Sequence, residues 1–216
     1  MHARYLIWLC LLLPLRGQAQ QRELDWGLHI GAEWMALRGL SAFPPGRTGQ
    51  LMRFRAVSFV LPSMGIHARL PLGERLSVRS GLRFLPQDYA LYFTWTDQLP
   101  HREDIRGWEL GVPLLLELHN PDMPARPYAF AGPVYTLHYR QPPTGVHQLE
   151  FKPHEIGINF GVGLTLGQER PVFRPEFNFH LGVTNILRGA REVRYLEEIG
   201  RDLQRDYVAL RLLIEP

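Results

Sequence analysis

The chain has 216 residues, a formal net charge of +3 and a single cysteine, Cys10. Acidic residues are interspersed among the basic ones with no long basic block, which excludes a nucleic-acid-binding arm. One cysteine excludes a disulfide framework, and the length is ample for one domain.

Residues 1–19 read as a secretory signal peptide. His2 and Arg4 precede an apolar run, Tyr5 to Leu15, and Gly17 and Ala19 place small residues before a cleavage point. Cys10 follows Trp8 and Leu9 rather than the small residues a lipoprotein acceptor needs. Cleavage leaves 20–216 as one exported domain without cysteine. Beyond the signal no run of about 18 apolar residues occurs, so no transmembrane helix is expected. Transmembrane β-strands need only about 9–11 residues of alternating character.

Alternation is what the mature chain shows. In Trp26 to Ala36, Trp26, Leu28, Ile30, Ala32, Trp34 and Ala36 share one face, and Gly27, His29, Gly31 and Glu33 share the other. A Pro- and Gly-rich loop, Arg38 to Gln50, precedes a second strand ending at Leu72, in which Met64, Ile66, Ala68 and Leu70 oppose Gly65, His67 and Arg69. Its earlier part, Phe54 to Leu61, extends it beyond a bilayer. Gly73-Glu74 is a tight turn into the third strand, Leu76 to Phe84, whose polar face carries Ser77, Arg79, Gly81 and Arg83. Pro86 to Arg106 reads as a long aromatic connection.

The fourth strand, Trp108 to Leu118, sets Glu109, Gly111, Pro113, Leu115 and Glu117 against an apolar row. The fifth, Pro127 to Tyr139, alternates least cleanly. A Pro-rich loop, Arg140 to Pro153, leads to the sixth, Ile156 to Leu166, and a short turn leads to the seventh, from Phe173. There Phe173, Pro175, Phe177 and Phe179 oppose Arg174, Glu176, Asn178 and His180. An Arg- and Glu-rich loop with a short helix around Glu192–Leu203 precedes the eighth strand, Tyr207 to Glu215.

Eight strands with alternating long and short connections predict an all-β fold, an eight-stranded antiparallel transmembrane barrel of the outer membrane, with both termini and the short turns in the periplasm. Its interior is just wide enough to be filled by side chains. The expected filling is a structural polar network of Glu33, Arg69, Arg79, Arg83, Glu109, Glu117, Arg174, Glu176, His180 and Arg211. Pro113, Pro133 and Pro175 lie within strands, where proline removes a ladder donor, and predict bulges or strand ends. A soluble periplasmic sandwich or lipocalin-like barrel is the alternative, but it would bury Trp and Phe from every strand and turn the charges outward.

Four segments carry a family resemblance: GWELGVPLLLEL (Gly107–Leu118), RPYAFAGPVY (Arg126–Tyr135), FRPEFNFHLGVTNIL (Phe173–Leu187) and RDYVALRLLIE (Arg205–Glu215). They resemble the PorT family of small outer-membrane barrels from Bacteroidetes-type bacteria, and the likeness covers nearly all of the mature chain. It implies an outer-membrane barrel with a part in type IX secretion and gliding machinery, and no catalytic residues. Family members are often Lys-rich, whereas all but one of the basic residues here are Arg.

Site chemistry is weighed on that frame. Some small outer-membrane barrels modify lipid A with Ser, His and an acid. The best pairing here is Ser63 with His67, with Glu109 or Glu176 as the acidic neighbour of His67, and it is too weak a set to predict a catalytic site. His101, Glu103 and Asp104, and His147, Glu150 and His154, cluster in loops without cysteine, so neither a metal nor another cofactor is expected. Gly157, Gly161 and Gly163 alternate on a strand with no helix after them, which excludes a phosphate-binding loop. The aromatic second loop and the Arg-rich fourth loop fit two readings: contact with lipopolysaccharide or a secretion-system protein, or a membrane-interface girdle.

Overall fold

The computed structural model describes residues 24–38, 51–57, 60–95, 101–123, 125–140, 148–167, 169–191 and 204–216. The signal segment, most of the first loop, His147 and the helix expected around Glu192–Leu203 lie outside the described residues.

Among the described residues eleven strands follow in chain order: β1 (Asp25–Arg38), β2 (Leu51–Val57), β3 (Leu61–Pro71), β4 (Leu76–Trp95), β5 (His101–His119), β6 (Pro127–Arg140), β7 (Gln148–Phe151), β8 (His154–Leu164), β9 (Val172–Gly182), β10 (Leu187–Arg191) and β11 (Gln204–Glu215). Each barrel strand pairs antiparallel with its neighbours in sequence, and β1 pairs with β11, closing the ring. Because β2 and β3 lie along β4 as two parts of one stave, the barrel has eight staves. Closure leaves no sheet edge within the apolar band, as a membrane interior without water requires.

The outer face is apolar. Trp26, Leu28 and Ile30 on β1, Leu114, Leu116 and Leu118 on β5, and Ile158, Phe160 and Val162 on β8 are between 38% and 61% exposed. The charges point inward. This is the reverse of a water-soluble domain, and with closure it makes the molecule a transmembrane barrel. Trp26 to Ala36 covers about ten residue steps of roughly 3.3 Å, so a strand tilt near 40° gives an apolar height of about 25 Å. Aromatic rings mark the borders: Trp26 and Phe173 at the short-turn end, and Trp34, Phe84, Trp108 and Tyr139 at the long-loop end. Trp108 stacks on Tyr139 at 5.2 Å between ring centroids.

Three expectations are corrected. Pro86–Trp95 and His101–Arg106 are strand rather than loop: β4 and β5 continue past the apolar band, paired from Pro86↔Trp108 to Phe93↔His101, with β2 on the other edge of β4. The aromatics there favour extended backbone, and exposed Asp88, Arg102, Asp104 and Arg106 show that this ribbon stands in water. Second, β7 and β10 form a two-stranded sheet out of parts of the third and fourth loops.

Third, the intrastrand prolines produce no bulge. β4–β5 pairing lapses beside Pro113, between Ser80↔Leu114 and Arg83↔Gly111, and resumes in register. β5–β6 pairing lapses beside Pro133 in the same way, and Pro175, opposite Leu212 in an unbroken ladder with β11, stands on its other side where the β8–β9 ladder and β8 itself end, as expected of a strand-end proline. The Ser80 hydroxyl donates to the Pro113 carbonyl at 2.8 Å, restoring one contact at the first gap. Register shifts among the described residues fall instead at Leu51/Arg53 and Leu187/Gly189, outside the apolar band.

Candidate functional site: the polar column of the lumen

Strand phase places all ten expected network residues inside the barrel. Nine are buried, and Arg69, at the short-turn end, is partly exposed. They do not form one continuous cluster. They divide into two ionic layers, one toward each end of the lumen.

The layer toward the short turns is centred on Glu117 and Arg174. Arg174 bonds Glu117 Oε2 and Glu215 Oε1, both at 3.0 Å. Arg79 reaches Glu117 at 2.9 Å and Glu176 at 2.6 Å. Arg69 joins Glu215 and Asp25, each at 2.8 Å. Aromatic rings line this layer. Arg174 lies 4.1 Å from the Tyr128 ring centroid, Tyr128 donates its hydroxyl to Glu176 at 2.7 Å, and Arg79 faces Phe130. That role accounts for the poor alternation of the fifth predicted strand: Tyr128, Phe130 and Val134 point inward, and Tyr128 and Phe130 pack with Leu115.

The layer toward the long loops is centred on Arg83. It holds Glu33 at 2.7 Å and also pairs with Glu109, while Arg211 bonds the other oxygen of Glu33 at 2.9 Å. Arg205 pairs with Glu109 and lies 3.0 Å from Glu155. Glu155 in turn meets His138 at 2.9 Å and His180 at 3.2 Å. His180 stacks on Tyr207 with 4.3 Å between centroids and 2° between planes, and Arg83 lies over the same tyrosine at 4.7 Å. Inward glycines supply the room. Gly111 faces the Arg83 guanidinium, and a side chain at Gly157 would occupy the place of the His180 imidazole.

In the two layers every one of these carboxylates meets at least one arginine, and every arginine but Arg140 meets at least one carboxylate, the condition under which a low-dielectric interior tolerates charge. They also fill the lumen. A vestibule of about 210 Å³ opens at the short-turn end, lined among others by Asp25, Arg69, Ser77, His119 and Glu215.

Glu155, Arg205, His138, Tyr207, Gln87 and Arg140 belong to this interior and are absent from the expected set. The signal for them was available. Glu155 and Arg205 are in phase with Gly157 and Tyr207, one or two residues before the predicted strand starts. Gln87 is in phase with Arg83 once β4 is allowed to continue.

The enzymatic pairing is not assembled. Ser63 and His67 share strand β3 four residues apart, about 13 Å along the backbone. His67 faces Glu215, with 3.5 Å between Nε2 and Oε1, rather than Glu109 or Glu176. A different serine–histidine contact does form: Ser77 Oγ lies 2.7 Å from His119 Nε2. Ser77 donates its one proton to Glu117 at 2.9 Å, so His119 must be the donor to Ser77. A histidine that donates to a hydroxyl is not placed to take a proton from it, and Glu117 approaches the same Nε2 instead of orienting the ring from Nδ1. The contact is a structural bond of the short-turn layer.

His154 is the first residue of β8 rather than part of a loop, and it bonds the Tyr135 hydroxyl of β6 at 2.5 Å. Among the described residues no group of three His, Cys, Asp or Glu side chains is placed to hold a metal ion. Gly157, Gly161 and Gly163 face the lumen on β8 beside His180, Phe130 and Tyr128.

No protein-family model and no curated protein sequence matches the chain. Solved structures with a similar course include the outer-membrane protein OprG from Pseudomonas aeruginosa, at 12% identity and a TM-score of 0.47 over 89% of this chain and 91% of that one. Ail, the attachment invasion locus protein of Yersinia pestis, is similar at 8% identity and a TM-score of 0.41 over 90% and 99%. The outer-membrane protein AlkL, solved in lipid bilayers, is similar at 10% identity and a TM-score of 0.44 over 89% and 88%.

Proposed function

We propose that this chain is a small, non-enzymatic barrel of the bacterial outer membrane that serves as a structural or assembly component of type IX protein secretion. In this reading residues 1–19 are a cleaved export signal, and the short turns and both termini face the periplasm. The observation that carries the proposal is the filled lumen. Ionic layers bonded from wall to wall leave no route for a polypeptide or a large solute, so the barrel acts through its surfaces. Those surfaces are the lipid-facing band, the ribbon of β2, β4 and β5 beyond it, and the sheet of β7 and β10. Partners are then outer-membrane lipid, including lipopolysaccharide, and other proteins of the secretion apparatus. The secretion role itself comes from the resemblance to the PorT family.

Deletion of the gene tests the role. Secretion cargo should be retained inside the cell envelope, and cargo that still reached the medium and the cell surface at normal levels would remove the proposal. The lipid A mass spectrum of the same strain tests the non-enzymatic part, and should be unchanged.

A further inference from the structure

Arg140 is the last residue of β6, at the long-loop end of the lumen. It lies in line with Gln87, since Gly107 on β5 is the register partner of both. Its Nε donates to Gln87 Oε1 at 3.3 Å, and its guanidinium lies 4.0 Å from the centroid of the Phe151 ring. Nε is thereby used and one face covered. The two terminal nitrogens point elsewhere, are out of contact with solvent, and have no hydrogen-bond partner.

Among the described residues no carboxylate of this layer is free for them. Glu33 is taken by Arg83 and Arg211. Glu109 is taken by Arg83, Arg205 and Gln87. Glu155 is taken by Arg205, His138 and His180. Three acids therefore serve three arginines, and Arg140 is a fourth cation without a counter-charge among the described residues. Arg79, Arg174 and Arg69 in the other layer each hold at least one carboxylate. A second orphan stands nearby: Tyr89, two residues beyond Gln87 on the same inward face of β4, has a buried hydroxyl without a hydrogen-bond partner.

Burying an unpaired guanidinium costs several kcal/mol, and an unmet buried hydroxyl adds to that. We propose that Arg140 and Tyr89 form a binding site for one phosphate group at the long-loop mouth of the barrel. The two terminal guanidinium nitrogens are a fork for two phosphate oxygens, and the phenol supplies a third donor. Three donors suit a tetrahedral anion better than a planar carboxylate. The phosphate belongs either to lipopolysaccharide or to a soluble phosphate ester.

The test uses the full mature barrel in a non-ionic detergent and phosphate-free buffer, titrated with inorganic phosphate by calorimetry and thermal melting. Wild type should bind saturably and melt higher with phosphate. Arg140→Gln should lose at least about tenfold in affinity, and Tyr89→Phe about threefold. Without phosphate, Arg140→Gln should melt no lower than wild type, because it removes an uncompensated charge. The proposal is overturned if wild type shows no saturable response, if Arg140→Gln titrates like wild type, or if Arg140→Gln alone melts well below it. Competition by phosphorylated but not dephosphorylated lipopolysaccharide assigns the lipid as source. Competition by glucose 1-phosphate alone assigns a soluble ester.

Discussion

Arg174 on β9 reaches across the lumen to Glu117 on β5, with 3.0 Å between guanidinium and carboxylate and neither side chain exposed. The two strands are separated by β8 and β6 in the sheet, so the bond spans the interior rather than running along the wall. Arg174→Ala leaves Glu117 and Glu215 short of a cation in a dry interior. The expected loss is about 3–5 kcal/mol in urea unfolding from lipid bilayers. Arg75→Ala, which breaks the solvent-exposed pair with Asp122, should stay within about 0.5 kcal/mol. Equal effects at the two sites would show that the lumen is wet.

The glycine opposite His180 is a second test of the packing. A methyl group at Gly157 meets the His180 ring and the Leu181 carbonyl, and the ring cannot retreat while it is stacked on Tyr207 and bonded to Glu155. Gly157→Ala should destabilise by about 1–3 kcal/mol. The same change at Gly73, which faces open space, should cost far less.

Lipid exposure predicts an asymmetry between the two faces of β5. Leu114 is 52% exposed at mid-strand, and Leu115 beside it is buried. Leu114→Arg should cost about 2–4 kcal/mol in a bilayer, the penalty for a cation on the lipid face near the midplane. A water-exposed position would accept arginine at almost no cost, so a neutral result argues for solvent outside the barrel.

The filled lumen makes a conductance prediction. Wild type in a planar bilayer should pass little current. Arg83→Ala together with Arg205→Ala removes two long side chains that bridge the walls in the long-loop layer. Conductance should rise several-fold, because eight strands leave only side-chain-sized space that these residues occupy. An unchanged current would mean that the seal lies elsewhere.

The barrel was legible because period-2 alternation is written into each strand and the face carrying charge differs from the face carrying Trp, Leu and Phe. Residues such as Glu33, Arg83 and Arg174 could be placed inside from phase alone. Strand ends were less legible. Pro86 and the aromatics after it read as loop, because alternation for membrane burial stops where the ribbon enters water, although the pairing continues. That early stop hid Gln87 and Tyr89, and starting two strands late hid Glu155 and Arg205. The partners within the column were not legible either. Which acid meets which arginine depends on barrel stagger, which brings Glu215 rather than Glu109 to His67.

The most direct test of the central account is gel migration of the purified mature chain in dodecyl sulfate, with and without boiling. A closed barrel with its strands paired around the ring resists the detergent until heated, so the unheated sample should run at a different apparent mass and shift to that of a 25.0 kDa chain, less its signal, after boiling. A single heat-independent band, from a protein recovered in the soluble fraction, would contradict it.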